Sequence, residues 1–505
     1  MRSLETLRHY KAYRTSAFAR EERGRVAILF GGMTSRHERL AAAAIRSLGH
    51  RVELLPNPGK RDFDAGKELI DPGACCPAYF TAGCLANVLR DKVAHEGRDA
   101  VARNYVFLTA GGCGACRFGQ YRESYALALE NIGLADFRMF NFVQDELVTP
   151  SRARGGLELD APFILGVVWA FMCADLLGDL AYMARPYELV PGETDRALAA
   201  SLERLERAFR ERPRQRLGVS TLGWYLGSGY FERVLREIAS LWGAIRVDRL
   251  RVKPKVKVTG EFWLQLHEGE GNYDIKRWLE QEGAEVDTTA ISIWIDYLLY
   301  DAIGRLAQRR EAVAHYAWKR AWLRLTRGAF LRAYRRLRAA LLDLPHALPS
   351  QDELVRLAAP FYRFPLNGGE GHLLVAKALL AHRHRLAHMV CELAPYGCLP
   401  STTSVGVMAH VLGKHPDLLY APIEVKGDAE VHALSRCQMI LTEAKRRAQQ
   451  EFARALSETG LSVQRIREWE ARHPAAQRLD APVARRGLAG TAANYVLYVA
   501  GEGAR

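Results

Sequence analysis

RVAILFGGMTSRHERLAAAAIRSLGHRVELLP, residues 25–56, decides the fold class. The run RVAILFGG (25–32) is apolar without alternation and stops at two glycines, the pattern of a strand buried on both faces. SRHERLAAAAIRSLG (35–49) follows as a helix, with Ser35 and Glu38 placed as a capping box and Gly49 at its end. RVELLP (51–56) is the next strand. Strand, helix and strand in succession call for a parallel pair joined by a right-handed crossover. The expected class is α/β, with two or three Rossmann-like parallel-sheet domains and helical insertions.

Further along, a helix near 82–95 leads to the strand YVFLTA (105–110), the helix ESYALALENIG (123–133) and a strand at RMFNFV (138–143). Residues 25–150 thus read as a first α/β domain after an N-terminal helical extension, 1–24. Residues 151–250 read as helix, broken by a turn signal at RPYELVPGETD (185–195). There Arg185 and Glu188 can pair and Glu193 or Asp195 can cap the next helix, so a structural turn is favoured over a substrate role. KPKVKVTGEFW (253–263), the helix NYDIKRWLEQEG (272–283) and the strand AEVDT (284–288) open a second α/β segment, 251–345, that ends in Arg-rich helix. A third, 346–470, holds NGGEGHLLVAKALL (367–380), the strands HMVCELAPYGC (388–398) and LLYAPIEV (418–425), and a helix from Ala429 to about Ser457. The GGEG stretch suits a sharp turn into a helix better than a phosphate loop, lacking a strand–GxGxxG context. Residues 471–505 form a C-terminal tail.

The chain has 505 residues, 49% hydrophobic and 25% charged, with a formal net charge of +14. That is the balance of an ordinary globular protein. The arginines are spread along helical segments such as 203–216 and 308–338, which reads as solvated helix surface before it reads as a nucleic-acid interface. In WKRAWLRLTRGAFLRAYRRLRAALLDL (318–344), Trp322, Leu323, Leu325, Phe330, Leu331, Tyr334 and Leu337 give a rough apolar stripe, expected to pack on the core. APFILGVVWAFMCADLLGDLAYMA (161–184) is long enough to span a bilayer, but Asp175 and Asp179 lie in its second half on one face. Charges at that depth are costly in lipid, so a buried helix of a soluble, cytoplasmic protein is expected. The N-terminus has no apolar h-region of a secretory signal.

Nine cysteines argue against a disulfide framework and for free, metal-bound or catalytic thiols. Six sit in three stretches read as loops: GACCPAYFTAGC (73–84), GGCGACRFGQY (111–121) and APYGCLPSTTSVG (394–406). Two of these directly follow strands, and in open α/β sheets ligands collect at the carboxyl ends of strands. Gly111, Gly112, Gly114 and Gly397 permit tight turns whose amides can face sulfur or an anion. Pro77 and Pro400 each lie two residues after a cysteine. Zinc prefers two C-x₂-C pairs, and only Cys113 and Cys116 have that spacing. A redox dithiol would use that pair alone. Iron–sulfur ligation and plain packing stay open as well; Cys173, Cys391 and Cys437 read as core.

CGACRFGQY (113–121) resembles the CGPCRFGQY signature of the 2-hydroxyacyl-CoA dehydratase and benzoyl-CoA reductase superfamily. More closely it is similar to the dehydratase-like component related to CoA-substrate-specific enzyme activases. ACCPA (74–78), RPYELVPGETD, VTGEFW, GNYDIKRWLEQEGAEV (271–286) and APYGCLP (394–400) resemble further segments of that family in the same order, over roughly residues 25–445. The resemblance implies an iron–sulfur cluster, [4Fe-4S] or double cubane, in the cleft between the α/β domains. It implies Cys75, Cys116 and Cys398 as ligands, Cys113 as the leading extra candidate, and Cys76 and Cys84 as ligands of a larger cluster. Arg117, Gly112, Gly114 and Gly397 would surround it. It further implies a separate ATP-hydrolysing activase with its own cluster as electron donor, an acyl-CoA or other small-molecule substrate, and a homo- or hetero-oligomer. The sequence departs from the family pattern at Cys76, where an aromatic residue is usual, at Cys84, where histidine is common, and at Tyr79 and Ala115, where lysine and proline are usual. It contains no GxxxxGK[ST] phosphate loop.

Overall fold

The computed structural model describes residues 19–112, 116–143, 157, 159–212, 219–313, 315–364, 369–483 and 485–503. The expected 1–24 extension lies mostly outside these residues, as do Cys113, Gly114 and Ala115.

The described strands form two parallel sheets of four. The first holds β1 (Ala27–Phe30), β2 (Arg51–Leu54), β3 (Tyr105–Gly111) and β4 (Met139–Val143), in the order β2-β1-β3-β4. The second holds β5 (Lys255–Gly260), β6 (Glu285–Asp287), β7 (Met389–Pro395) and β8 (Tyr420–Val425), in the order β6-β5-β7-β8. The two orders are the same: first strand outward to the second, then back to the third and fourth. Strands expected in separate second and third segments therefore share one sheet. The reason is β7, which pairs with β5 from Val256↔Met389 to Gly260↔Leu393, across the helices between them.

In the first half, α1 (Ser35–Arg46), α2 (Lys60–Leu69), α3 (Cys76–Glu96), α4 (Arg98–Asn104) and α5 (Tyr121–Asn131) connect the strands. The cap of α1 lies one residue earlier than the expected box. Thr34 accepts from the His37 amide, and Glu38 reaches back to the Met33 amide. The helical insertion comprises α6 (Ala161–Ala184), α7 (Glu193–Glu211), α8 (Val219–Gly227) and α9 (Tyr230–Gly243). Among the described residues α6 alone is long and apolar enough to cross a membrane. It is packed inside the protein, and both its aspartates have partners: Asp175 with His37, Asp179 with His346. The second half adds α10 (Phe262–Leu266), α11 (Ile275–Gln281), α12 (Ile291–Gln308), α13 (Tyr316–Ala340), α14 (Gln351–Ala358), α15 (Gly371–Arg383), α16 (Leu399–Lys414), α17 (Glu430–Thr459), α18 (Val463–Arg472) and α19 (Thr491–Gly501). The last of these packs on α17.

Arg185 pairs with Asp195 and Glu280 and not with Glu188, which instead accepts the Gly192 and Thr194 amides and so caps α7. On α13 the apolar stripe is narrower than its sequence suggests. Leu323, Phe330, Tyr334 and Leu337 are buried, but Trp322 and Leu325 face outward with Trp318.

One hydrophobic cluster crosses both sheets, running from Leu29 and Phe107 through Phe80 and Trp263 to Cys391 and Ile423. The Phe80 and Trp263 rings stack at 5.5 Å where the halves meet. Helices α2 and α3 pack through glycine: a Cβ on Gly66 would overlap the Tyr79 carbonyl, and one on Gly83 the Asp62 carbonyl. Backbone-close packing of this kind leaves α3 one position, and with it the cysteine at its start.

Candidate functional site

Cys116 and Cys398 each follow the third strand of a sheet, beside the point where the strand order reverses. Such crevices at strand carboxyl ends are where open α/β sheets place ligands. Cys75 reaches the same place from the start of α3. Cys75 is the N-cap of α3 with Pro77 in its first turn, and Cys398 is the N-cap of α16 with Pro400 in its first turn. Proline there needs no amide partner, and the cap position turns the side chain out of the helix. Both halves thus use one Cys-x-Pro device to start a helix and project a thiol. The stretch 73–84 is a loop only as far as Cys75; Cys76 and Cys84 are helical because Pro77 and the Gly66 and Gly83 contacts commit the chain to α3.

The three thiol-bearing segments touch. The Cys76 amide donates to the Tyr396 carbonyl at 3.1 Å, tying the first segment to the third. Gly397 has φ +78°, and a Cβ there would stand 3.2 Å from the Ala74 oxygen and 3.4 Å from the Cys75 Cα. Only glycine meets both conditions without strain. Gly369, φ +64°, lies between Pro400 and Cys116, 2.8 Å and 3.8 Å from where its Cβ would be. Cys75 and Cys398 are buried, and Cys116 is partly so. Tyr121 Oη lies 3.3 Å from Cys75 Sγ, and the Phe118 amide donates to Cys116 Sγ at 3.5 Å.

The other candidates are placed differently. Cys84 Sγ donates to the Pro56 carbonyl at 3.5 Å, on the side of α3 toward β2. Cys76 is buried at the start of α3, with Asp428 and Glu261 as its charged neighbours. Burial raises the Cys75 thiol overall; Arg117, which extends toward Gly73 in the Cys75 segment, opposes that rise with its charge. Gly112 supports the turn from within, its carbonyl against Gly119. Cys173, Cys391 and Cys437 lie in the core, the last two as neighbours in one hydrophobic cluster.

Two carboxylates are charged neighbours of these thiols. Glu261 follows β5 and accepts the Leu264 amide at 3.0 Å; Glu370 precedes α15 and accepts the Phe262 amide at 3.0 Å. Both are buried. Burial, then the Glu370 charge, pushes the Glu261 carboxyl up to about 8, and burial raises Glu370 too. Burial and the charge of Glu370 push the Cys116 thiol up to about 12; Cys398 rises for the same reason, with Glu261 as its charged neighbour. Lys377, buried near Glu370, is brought down to about 7. The site therefore favours neutral thiols and carboxylic acids until a cation displaces their protons. These glutamates were missing from the sequence candidates. The signal was there, because Glu261 stands directly after a strand and Glu370 directly before a helix, both at carboxyl ends of the second sheet.

The glutamate pair carries a pH signature. The Glu261 carboxyl is raised above its unfolded value of 4.5, so its stabilising contribution is complete below that pH and is lost as pH rises through about 8. In the metal-free chain, the unfolding free energy of wild type relative to Glu261→Gln should decline from pH 5.5 to 8.5, while Lys377 and the buried His267 and His372, which titrate with the opposite sign, act on both proteins alike. Urea titrations at three pH values measure it; parallel wild-type and variant curves would refute it.

Among the described residues, no group of three or more His, Cys, Asp or Glu side chains is arranged to hold a metal ion. No family model matches the chain, and no curated protein matches it significantly.

Proposed function

We propose that the protein is the iron–sulfur, electron-accepting component of an ATP-driven low-potential reductase or 2-hydroxyacyl-CoA dehydratase-like system, receiving single electrons from a separate ATPase activase. The observation that carries this reading is the meeting of the Cys75, Cys116 and Cys398 segments, from far-apart parts of the chain, at facing sheet ends. Thiolates suit iron–sulfur clusters, and the ligands of a multi-iron cluster stand farther apart than those of one ion. The hydroxyl of Tyr121 and the Phe118 amide fit the hydrogen bonding such sulfurs receive. Cys84, turned to the Pro56 carbonyl, favours the single [4Fe-4S] cluster over the double cubane.

When bound, the cluster would supply one-electron transfer at low potential. The chain's own residues have definable parts. Cys75, Cys116 and Cys398 would release their thiol protons on binding it, overcoming the bias against thiolate. Glu261 and Glu370 would hold protons beside the site near neutral pH. Phe80, Trp263 and the shared core would exclude water from behind.

Protein purified without oxygen should contain iron and acid-labile sulfide in equal amounts, close to four per chain, with a broad band near 400 nm bleached by dithionite. Cys116→Ser should lose most of the iron or change the EPR signal of the reduced protein. Zinc without iron would favour the second reading, a metal-stabilised scaffold of the same fold. Neither metal, with salt-sensitive binding to nucleic acid, would favour a third reading, a basic nucleic-acid-binding protein.

A further inference from the structure

The second sheet has another site at its opposite end. A cavity of about 1160 Å³ opens where β7 begins, bounded by the last turns of α14, α15 and α16 and by α17. β7 spans seven residues, so the cavity is about 20 Å from the thiols. Its volume lies somewhat above the usual range of about 300–1,000 Å³ for small-molecule sites. Its charge is unbalanced: six arginines and lysines line it against Asp417 and Glu451.

Part of that excess has a structural cause. Cations complement helix carboxyl ends, and three helices end here. Each end carries about half a negative charge, so of a net four positive charges about two and a half remain. Three cations are also unspent. The side chains of Arg383, Arg385 and Lys414 make no hydrogen bond or ion pair with any described residue. By contrast, Arg447 is held by Glu443 and the Asp417 carbonyl, and His388 by Glu451.

The same cavity has an aromatic wall. Phe361 lies edge to face with His410 at 5.3 Å and tilted to His415 at 6.1 Å, and His382 stands 5.2 Å from His415. Leu357, Leu379 and Leu418 are among the apolar residues of the lining. Free cations beside a ring wall match a ligand that has several phosphates and a flat heterocycle. We propose that this cavity binds a nucleoside polyphosphate. The site is separate from the thiols and does not depend on the iron–sulfur reading.

Calorimetry on the full chain near 150 mM salt, with ATP, adenosine and tripolyphosphate as probes, tests it. ATP should bind, adenosine should not, and tripolyphosphate should bind at least fivefold more weakly than ATP. The double variant Arg383→Glu/Lys414→Glu should weaken ATP at least tenfold, about 1.4 kcal/mol or more. Phe361→Leu should weaken ATP and leave tripolyphosphate unchanged. Arg436→Glu reverses an exposed charge outside the cavity and should change nothing. The charged variants lie on the surface, and a circular-dichroism melt matching wild type shows that they fold. No ATP binding, ATP affinity untouched by the double variant, an equal loss in Arg436→Glu, or tripolyphosphate as tight as ATP would each overturn the assignment.

Discussion

Asp175→Ala is expected to destabilise the protein by about 3–5 kcal/mol, the cost of removing one member of a buried, hydrogen-bonded polar group. Asp175 lies on α6, in the helical insertion, and reaches both halves. One oxygen accepts from His37 Nε2 at 3.0 Å and from the Ile291 amide at 2.9 Å; the other accepts from the Ser292 amide and hydroxyl at 2.8 and 2.7 Å. Burial lowers the His37 pKa, so its ring is neutral, with Nε2–H facing Asp175 and Nδ1 accepting from the Thr34 hydroxyl. Thr34 caps the helix after β1, and Ile291 and Ser292 begin the helix after β6. Alanine would leave four donors without an acceptor in a dry interior. Asp175→Asn keeps one acceptor oxygen and should cost less. Urea denaturation measures both; a loss below about 1 kcal/mol for alanine would mean that water or rearrangement replaces the carboxylate.

Gly83→Ala is expected to cost about 3 kcal/mol or more, the upper range for overpacking, because the obstacle is backbone. Its Cβ would overlap the Asp62 carbonyl and crowd the Gly66 amide, so α2 and α3 must separate. The start of α3 would shift with them, moving Cys75 off Tyr121. On the iron–sulfur reading proposed above, iron content should therefore fall together with stability. Gly223→Ala is the contrast: a Cβ on that α8 residue meets nothing within 4 Å, and the change should be neutral or stabilising by up to about 1 kcal/mol. Similar melting curves for the two variants would contradict the close packing described here.

Much of this architecture was legible in the chain because its strands are short apolar runs punctuated by glycine. Residues 25–56, 105–110 and 388–398 announce buried parallel strands before any tertiary contact is known. What the sequence could not express was the pairing of β7 with β5, which joins positions more than a hundred residues apart; periodicity holds no such information. The same limit hid the glutamates. Glu261 and Glu370 look like ordinary caps, and only the fold buries them beside three thiols. Cys84 shows the reverse case: near Cys75 in sequence, it points elsewhere because a helix of 3.6 residues per turn places it on another face. Asp175 and Asp179 mark α6 in the sequence as a helix with a polar face, yet their partners, His37 and His346, lie on distant segments.

The hydrogen bond from the Cys76 amide to the Tyr396 carbonyl, together with the glycine contact beside it, has a mechanical consequence. It fastens the two halves at the thiols themselves. Together with the core cluster that crosses both sheets and the bonds of Asp175 to both halves, it opposes any swing of one half against the other. The thiol-bearing segments are thereby tethered to one another through backbone, with the Gly369 turn against Cys116 and Pro400.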